Sequence, residues 1–309
     1  MKGVVLAAGK GTRLFPVTRA VAKPLLPIAN RMTIQYAFDQ FGRCGISDVC
    51  VVVGESEEQM RDALGDGSRF GVDLTYVRQT TPKGLAHAVG FAREFVGDDD
   101  FMLYLGDAVY GESLAPFAAQ FQEQGAANLN LVKAVDDPKR FGVATVEDGR
   151  IVKLVEKPAE PESNLAMAGM YIFGPQIWPC IDRLEPSARG EYEITDAIQL
   201  LVESGALVIP GVYDGEWFDT GTLDSFLETS RFLTDGGVLV GDGATVSAQM
   251  AAGVVIGSGA TVVANRIENS VILPDADVHV TGDIRGCLLG GRINADQLEN
   301  TIRYGEMLE

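Results

Sequence analysis

Lys2, Lys10, Arg13, Arg19, Lys23 and Arg31 all precede the first acidic residue, Asp39. With 43 acids in 309 residues, a window that long would hold about five, so an acidic protein keeps one end cationic. Inside that end, Gly9-Lys10-Gly11-Thr12-Arg13 sets two glycines beside two cations. Glycines let backbone N–H groups approach an anion and the cations neutralise it, so this spacing suits phosphate binding. Two familiar phosphate motifs do not fit. A Walker loop needs Gly-x-x-x-x-Gly-Lys-[Ser/Thr], and a dinucleotide fingerprint needs a third glycine where Leu14 stands.

Two acids complement these cations. Asp107 ends Tyr104-Leu105-Gly106-Asp107 after an apolar run, and Asp219 lies within Trp217-Phe218-Asp219-Thr220-Gly221. Nucleotide-bound Mg²⁺ takes one or two protein carboxylates plus phosphate oxygens, which two such aspartates could supply. Taken singly, each also reads as a turn or helix-cap residue. Val155-Glu156-Lys157-Pro158 offers an acceptor beside a cation, and without context it reads equally as a charged surface turn.

The elements that must position these groups follow from hydrophobic spacing. Short apolar runs at 4–8, 49–53, 74–77 and 101–105 are separated by stretches of helical spacing such as 34–41 and 86–95. Strands alternating with helices imply βαβ units and a largely parallel sheet with helices on both faces. Ligands in such sheets sit at the carboxyl ends of strands, which selects the loops after Ala8 and Leu105. Beyond residue 236 the pattern changes. Val240-Gly-Asp-Gly-Ala-Thr-Val246 recurs as Ile256-Gly-Ser-Gly-Ala-Thr-Val262, a shift of 16. Ile272 and Asp275-Ala-Asp-Val278 continue the shift, and Ile284-Arg-Gly-Cys-Leu-Leu echoes Ile267-Glu-Asn-Ser-Val-Ile. Small residues at fixed offsets between aliphatic strands predict a β-helical tail, suited to assembly and closed by a polar segment over 296–309.

Composition narrows the functional class. A formal charge of −18 repels polyanions and anionic lipid, which argues against a nucleic-acid or membrane-surface partner. Only eight of the 25 cations are lysine, as a salty cytoplasm could select. Four cysteines without a Cys-x-x-Cys pair, and two histidines in all, give no zinc spacing and suit reduced thiols in a cytoplasmic protein. No apolar signal core precedes the first strand. Residues 243–265 are uncharged and long enough to span a bilayer, but their four glycines and internal repeat favour a non-membrane reading.

Taken together, Leu6-Ala-Ala-Gly9-x-Gly11-Thr12-Arg13-Leu14, Lys23-Pro-Leu-Leu-Pro, Gln79, Gly84-Leu-Ala, Leu105-Gly-Asp107, Phe141-Gly142-Val143, Glu156-Lys157-Pro158, Gly169-Met-Tyr171 and Arg189-Gly-Glu-Tyr-Glu-Ile-Thr-Asp196 resemble the sugar-1-phosphate nucleotidylyltransferases. The order is the family's over residues 1 to about 230, and the nearest likeness is to long-form glucose-1-phosphate thymidylyltransferases. The resemblance implies a Rossmann-like α/β catalytic domain over 1–235, with a mixed, mostly parallel sheet, and a short left-handed β-helix over 236–309. It implies an NTP, dTTP or UTP, as one substrate and a sugar 1-phosphate as the other, with Mg²⁺ as cofactor and a homo-oligomeric assembly. By motif, Leu6, Ala8, Gly9, Gly11 and Thr12 would surround the nucleotide, and Arg13 would hold the departing pyrophosphate. Lys23 would bridge the two phosphates, and Lys157, with Arg189, would grip the attacking one. Asp107 and Asp219 would carry the metal, Gln79 and Gly84 would read the base, and Gly142, Glu156 and Tyr171 would line the sugar.

The sequence departs from the thymidylyltransferase pattern at Pro24, at Asn30-Arg31-Met32-Thr33 and at Ala108, where Asn is common. Base and sugar choice therefore stay open between dTDP-glucose and a UDP-sugar. A non-catalytic sensor is a further rival, and an acetyltransferase tail is disfavoured because His279 is its sole histidine.

Overall fold

The computed structural model describes residues 1–305; the last four residues of the expected closing segment lie outside the described residues. The chain forms two compact units. The first comprises Met1–Gly9, Ala37–Gly106 and Tyr110–Trp217, and the second Lys10–Tyr36, Asp107–Val109 and Phe218–Glu309. Of the five points at which the chain passes between units, three, at Gly9–Lys10, Gly106–Asp107 and Trp217–Phe218, fall within motifs singled out above.

The first unit is built on a nine-stranded sheet. Lys2–Ala7 lies between Asp48–Val53 and Phe101–Leu105, parallel to both, and Asp73–Arg78 extends the parallel set. Val49, Cys50, Val51, Val52 and Val53 are all fully buried. A strand covered on both faces reads as a continuous β-branched run instead of an alternating one, which is why the sequence signal here is so plain. On one face Phe101 stacks on Trp178 with ring centroids 5.2 Å apart. On the other, Phe41 meets Tyr104 edge-on at 6.0 Å. Each such side chain contributes roughly 1.5–3 kcal/mol by leaving water, which fixes the register of the strands that bear the site.

The remaining strands make the sheet less parallel than the sequence suggests. Leu165–Phe173 runs antiparallel to Phe101–Leu105 and to Asn128–Ala134, and Gly142–Glu147 forms a hairpin with Arg150–Glu156. The hairpin is joined by Asp148-Gly149, both at positive φ (49° and 76°), the geometry of a tight two-residue turn. Such a turn enforces antiparallel pairing; the N-terminal strands keep the βαβ pattern, and Val208–Val212 adds one more parallel pairing, with Asn128–Ala134. The helical stretch expected at 86–95 is broken into Leu85–Gly90 and Arg93–Val96.

In the second unit, 238–304 alternates between two parallel sheets of five and six strands. Val238–Val240 pairs with Val254–Ile256, and that strand with Ser270–Ile272, each 16 residues on. Ile267 pairs with Ile284, as their sequence echo suggests. Between the sheets lie Val254, Ile256, Val262, Ile272, Val278, Ile284 and Leu289. Among the described residues, no helix is long and apolar enough to cross a membrane, and 243–265 forms strands.

Candidate active site

In the second unit two cations flank two neighbouring acids. Gly11, left-handed at φ 61°, caps the short helical turn Thr12–Leu14, and its carbonyl accepts from Leu14 N (2.9 Å) and the Thr18 hydroxyl (2.8 Å). A Cβ at Gly11 would lie 3.1 Å from Lys23 Cβ, so the bare glycine lets the lysine segment close on the loop. Lys23 is buried and its ammonium pairs with Asp107. Asp107 precedes the strand Ala108–Tyr110, Asp219 ends the strand Trp217–Asp219, and the two strands pair. Thr220 ties their ends together by donating its N–H (3.1 Å) and hydroxyl (2.8 Å) to the Asp107 carbonyl. Arg13 Nη2 stands 3.9 Å from Asp219 Oδ2.

This arrangement has an electrostatic signature. Burial pushes the Asp219 carboxyl above its ordinary range, the charge of Asp107 pushes it further, and Lys23 and Arg13 oppose both. Two carboxylates that repel each other under partial burial are a donor set a hard divalent cation would relieve. Among the described residues there is no cluster of three or more His, Cys, Asp or Glu able to cage a metal.

Gly11 supplies a test. Gly11→Ala would force an L-residue into the left-handed region at a cost of about 1–2 kcal/mol and crowd Lys23. Calorimetric melting should show a lowered midpoint, and nucleotide titration about tenfold weaker binding; unchanged affinity would remove the loop from the nucleotide site.

The first unit holds a second cluster. Glu156 ends the strand Arg150–Glu156 opposite Gly142, and the Thr195 hydroxyl donates to its Oε2 at 2.6 Å. A Cβ on Gly142 would fall 3.1 Å from both that oxygen and Thr195 Oγ1. Lys157 adopts a positive φ of 45°, anchored by its N–H to the Phe141 carbonyl, and its Nζ lies 3.3 Å from Glu156 Oε1. Arg189 binds Glu193 (2.9 Å) and Glu191 (3.1 Å), with Glu156 at 3.8 Å. Glu193 is itself buried and accepts from the Ser187 hydroxyl at 2.8 Å. Tyr171 is buried, and burial followed by the Glu156 charge holds its phenol protonated well above its usual range. Gly142, Glu156, Lys157, Tyr171 and Arg189 thus converge, as the motifs suggest. Glu193 and Thr195, which hold Arg189 and Glu156, lie inside the Arg189–Asp196 motif but receive no role from the sequence, because neither type stands out within it.

The residues expected to read a base occupy the same unit. Gln79 follows the strand Asp73–Arg78, is buried, and sits 3.1 Å from His87 Nδ1 through its Nε2. Burial and Lys83 lower the His87 pKa, and the ring stacks on Tyr192 with centroids 6.1 Å apart. Gly84 opens the helix Leu85–Gly90, where Tyr192 N–H donates to Lys83 O (2.7 Å) and Ala86 N–H to Tyr192 O (3.0 Å). The segment that carries Arg189 is thereby fixed to the Gln79 loop. At the carboxyl end of the first strand, Leu6 O accepts from Gly106 N at 3.0 Å, Ala8 and Gly9 follow, and Thr12 opens the helical turn.

Residues 2–236 match the family described as Nucleotidyl transferase. The chain is 42% identical over 257 residues to the low-salt glycan biosynthesis nucleotidyltransferase Agl11 of Haloferax volcanii, covering 81% of this chain and 72% of that one. It is 41% identical to a glucose-1-phosphate thymidylyltransferase of Streptomyces antibioticus, covering 80% and 75%. A crystal structure from Bacillus anthracis, assigned as a glucose-1-phosphate thymidylyltransferase, superposes with a TM-score of 0.71 at 36% identity, covering 76% and 96%. A UDP-glucose pyrophosphorylase complexed with UDP-glucose superposes at 0.70 with 26% identity, covering 76% and 98%.

Proposed function

The chain belongs to the nucleotidyl transferase family, and on that footing we propose that it transfers the nucleotidyl group of dTTP to glucose 1-phosphate, giving dTDP-glucose and pyrophosphate. The observation that carries the reading is the set of two cations, Arg13 and Lys23, flanking two neighbouring acids, Asp219 and Asp107, beside the glycine-bearing loop.

A phosphate oxygen of the sugar 1-phosphate attacks the α-phosphorus in line; the α–β anhydride bond breaks and its electron pair leaves with pyrophosphate. The attacking phosphate is already anionic near neutral pH, since a phosphomonoester's second pKa is about 6, so no side chain need remove a proton. Catalysis then rests on alignment and charge neutralisation. Arg13, 55% exposed, is placed to swing from Asp219 onto the β- and γ-phosphates. Lys23, pre-oriented by Asp107, would bridge the nucleotide and sugar phosphates. Lys157 and Arg189 hold the attacking phosphate, with Arg189 kept in place by Glu193. Glu156, fixed by Thr195, accepts from sugar hydroxyls. Gln79 reads the base edge, with neutral His87 behind it. Mg²⁺ held by Asp107 and Asp219 would supply further neutralisation of the charge that develops on the phosphates.

The same reading includes the division into a catalytic stretch, 1–235, and a left-handed β-helical tail over 236–309, a homo-oligomeric assembly and a cytoplasmic setting. Its support is the repeat register and the unpaired cysteines. The likeness to a UDP-glucose pyrophosphorylase favours UTP as the second reading. dTTP and UTP differ by one methyl and one hydroxyl, which an apolar pocket separates by only about 10- to 200-fold. Pyrophosphate release measured with a panel of NTPs and sugar 1-phosphates tests this. dTTP with glucose 1-phosphate should give the highest kcat/KM; a higher value with UTP would transfer the assignment to the uridylyl reading.

A further inference from the structure

Every residue of the strands Val254–Ile256, Ser270–Ile272 and Leu288–Gly290 is buried, whereas Thr245–Met250 and Thr261–Glu268 in the other sheet alternate. Side chains along a strand point to opposite faces, so a wholly buried strand is covered twice. One covering is internal, where Ile256, Ile272 and Leu289 pack between the two parallel sheets. The other belongs to the same unit but comes from far away in sequence. Val255, Val271, Leu273 and Leu288 share a core with Leu14, Val17, Leu26 and Ile28, closed by Phe226 and Leu227 of the helix Leu223–Leu233. Leu14 directly follows Arg13, and Leu26 ends the turn that begins at Lys23. A polar clamp adds to this core, since Asn30 Nδ2 donates to the Ile256 carbonyl at 2.9 Å.

We infer that the C-terminal strands are a brace for the phosphate loop, and that Val255, Val271 and Leu288 are positioning residues acting through Leu14 and Leu26 on Arg13 and Lys23. The loop has little of its own to hold it. It consists of two single helical turns, Thr12–Leu14 and Lys23–Leu25, and a four-residue helix, Val17–Ala20, too short to be stable alone. Its rigidity must come from tertiary packing, and the packing partner is the tail. Close packing transmits displacement, so a void beneath Leu14 moves the cations above it. This inference rests on the proposed nucleotidyl transfer for its catalytic consequence, but the bracing itself does not.

Leu288 and Leu289 allow a matched test: they are adjacent, both fully buried, and belong to the loop-facing and internal cores respectively. Leu288→Ala and Leu289→Ala should lower the thermal midpoint by similar amounts. Well below both midpoints, only Leu288→Ala should lower kcat/KM for the nucleotide, by about 10- to 100-fold, the scale of a displacement near 1 Å at a reacting group. The loss should be larger for the nucleotide, which meets both Arg13 and Lys23, than for the sugar phosphate, which of these two meets Lys23 alone, and Leu288→Met should restore most of it. Val271→Ala should repeat the effect should Leu288→Ala fail to fold. Amide hydrogen exchange over 10–28 in the same proteins, faster in Leu288→Ala than in Leu289→Ala, reads the brace without turnover. Equal kinetic losses in the two variants, or equal exchange over 10–28, would overturn the inference. Absent pyrophosphate release in the wild type with the exchange contrast intact would instead refute the functional reading and leave the brace standing.

Discussion

Asp219→Asn is expected to lower the rate of pyrophosphate release by at least about 10³-fold, because it removes one of two carboxylates available to a divalent cation whose charge stabilisation amounts to several kcal/mol. Asp107→Asn should fall as far, with an added effect, since it also releases the Lys23 ammonium from its partner. The Asp219 variant carries a second, opposite signature. Its folded-state pKa lies above the ordinary carboxylate range through burial and the charge of Asp107, so near neutral pH the ionised side chain opposes folding. Without divalent cation, Asp219→Asn should therefore melt higher than the parent at neutral pH. That advantage should shrink as pH falls through the raised pKa, where the parent carboxyl takes up its proton. A variant that melts higher yet does not turn over separates loss of function from loss of fold. Near-normal turnover in either aspartate variant would exclude the metal assignment.

Arg13→Ala is the second large effect, a loss of about 10²- to 10³-fold in kcat, the scale for removing one preorganised electrostatic donor. Arg13 is more than half exposed and paired to Asp219 only at 3.9 Å, so the resting protein loses little when it is removed. The melting temperature should hardly change, and KM for the sugar phosphate should stay within about twofold. Steady-state kinetics with each substrate varied in turn would reveal this; a loss confined to the sugar-phosphate KM would place Arg13 on the other substrate.

Much of this site is legible in the chain because charge and glycine are unambiguous signals. The acid-free first 38 residues, the Gly9-to-Arg13 loop and the two aspartates needed no structure to be singled out. The parallel strands were equally plain, since the short β-branched run from Val49 to Val53 fits a strand covered on both sides, as its full burial bears out. The antiparallel half of the sheet was harder to read. Its hairpin depends on Asp148-Gly149, a turn signal lost among the acids of an acidic protein. Glu193 sits only four residues from the Arg189 it holds, whereas Thr195 was hidden for a different reason: the residue it holds, Glu156, lies 39 positions away, and a partner remote in sequence leaves no local pattern. The double covering of 254–256 and 270–272 belongs to the same class. Val-Val-Ile and Ser-Val-Ile announce buried strands, but not that one face is closed by Leu14 and Leu26, more than 200 residues earlier.

The most direct measurement is the fate of the α-phosphorus. With dTTP radiolabelled at that position, glucose 1-phosphate and Mg²⁺, the label should appear in the sugar nucleotide in step with unlabelled pyrophosphate, and neither product should form when the divalent cation is chelated. Tight binding of nucleotide with no label transferred to any sugar 1-phosphate, with or without metal, would contradict the account and leave a sensor in place of an enzyme.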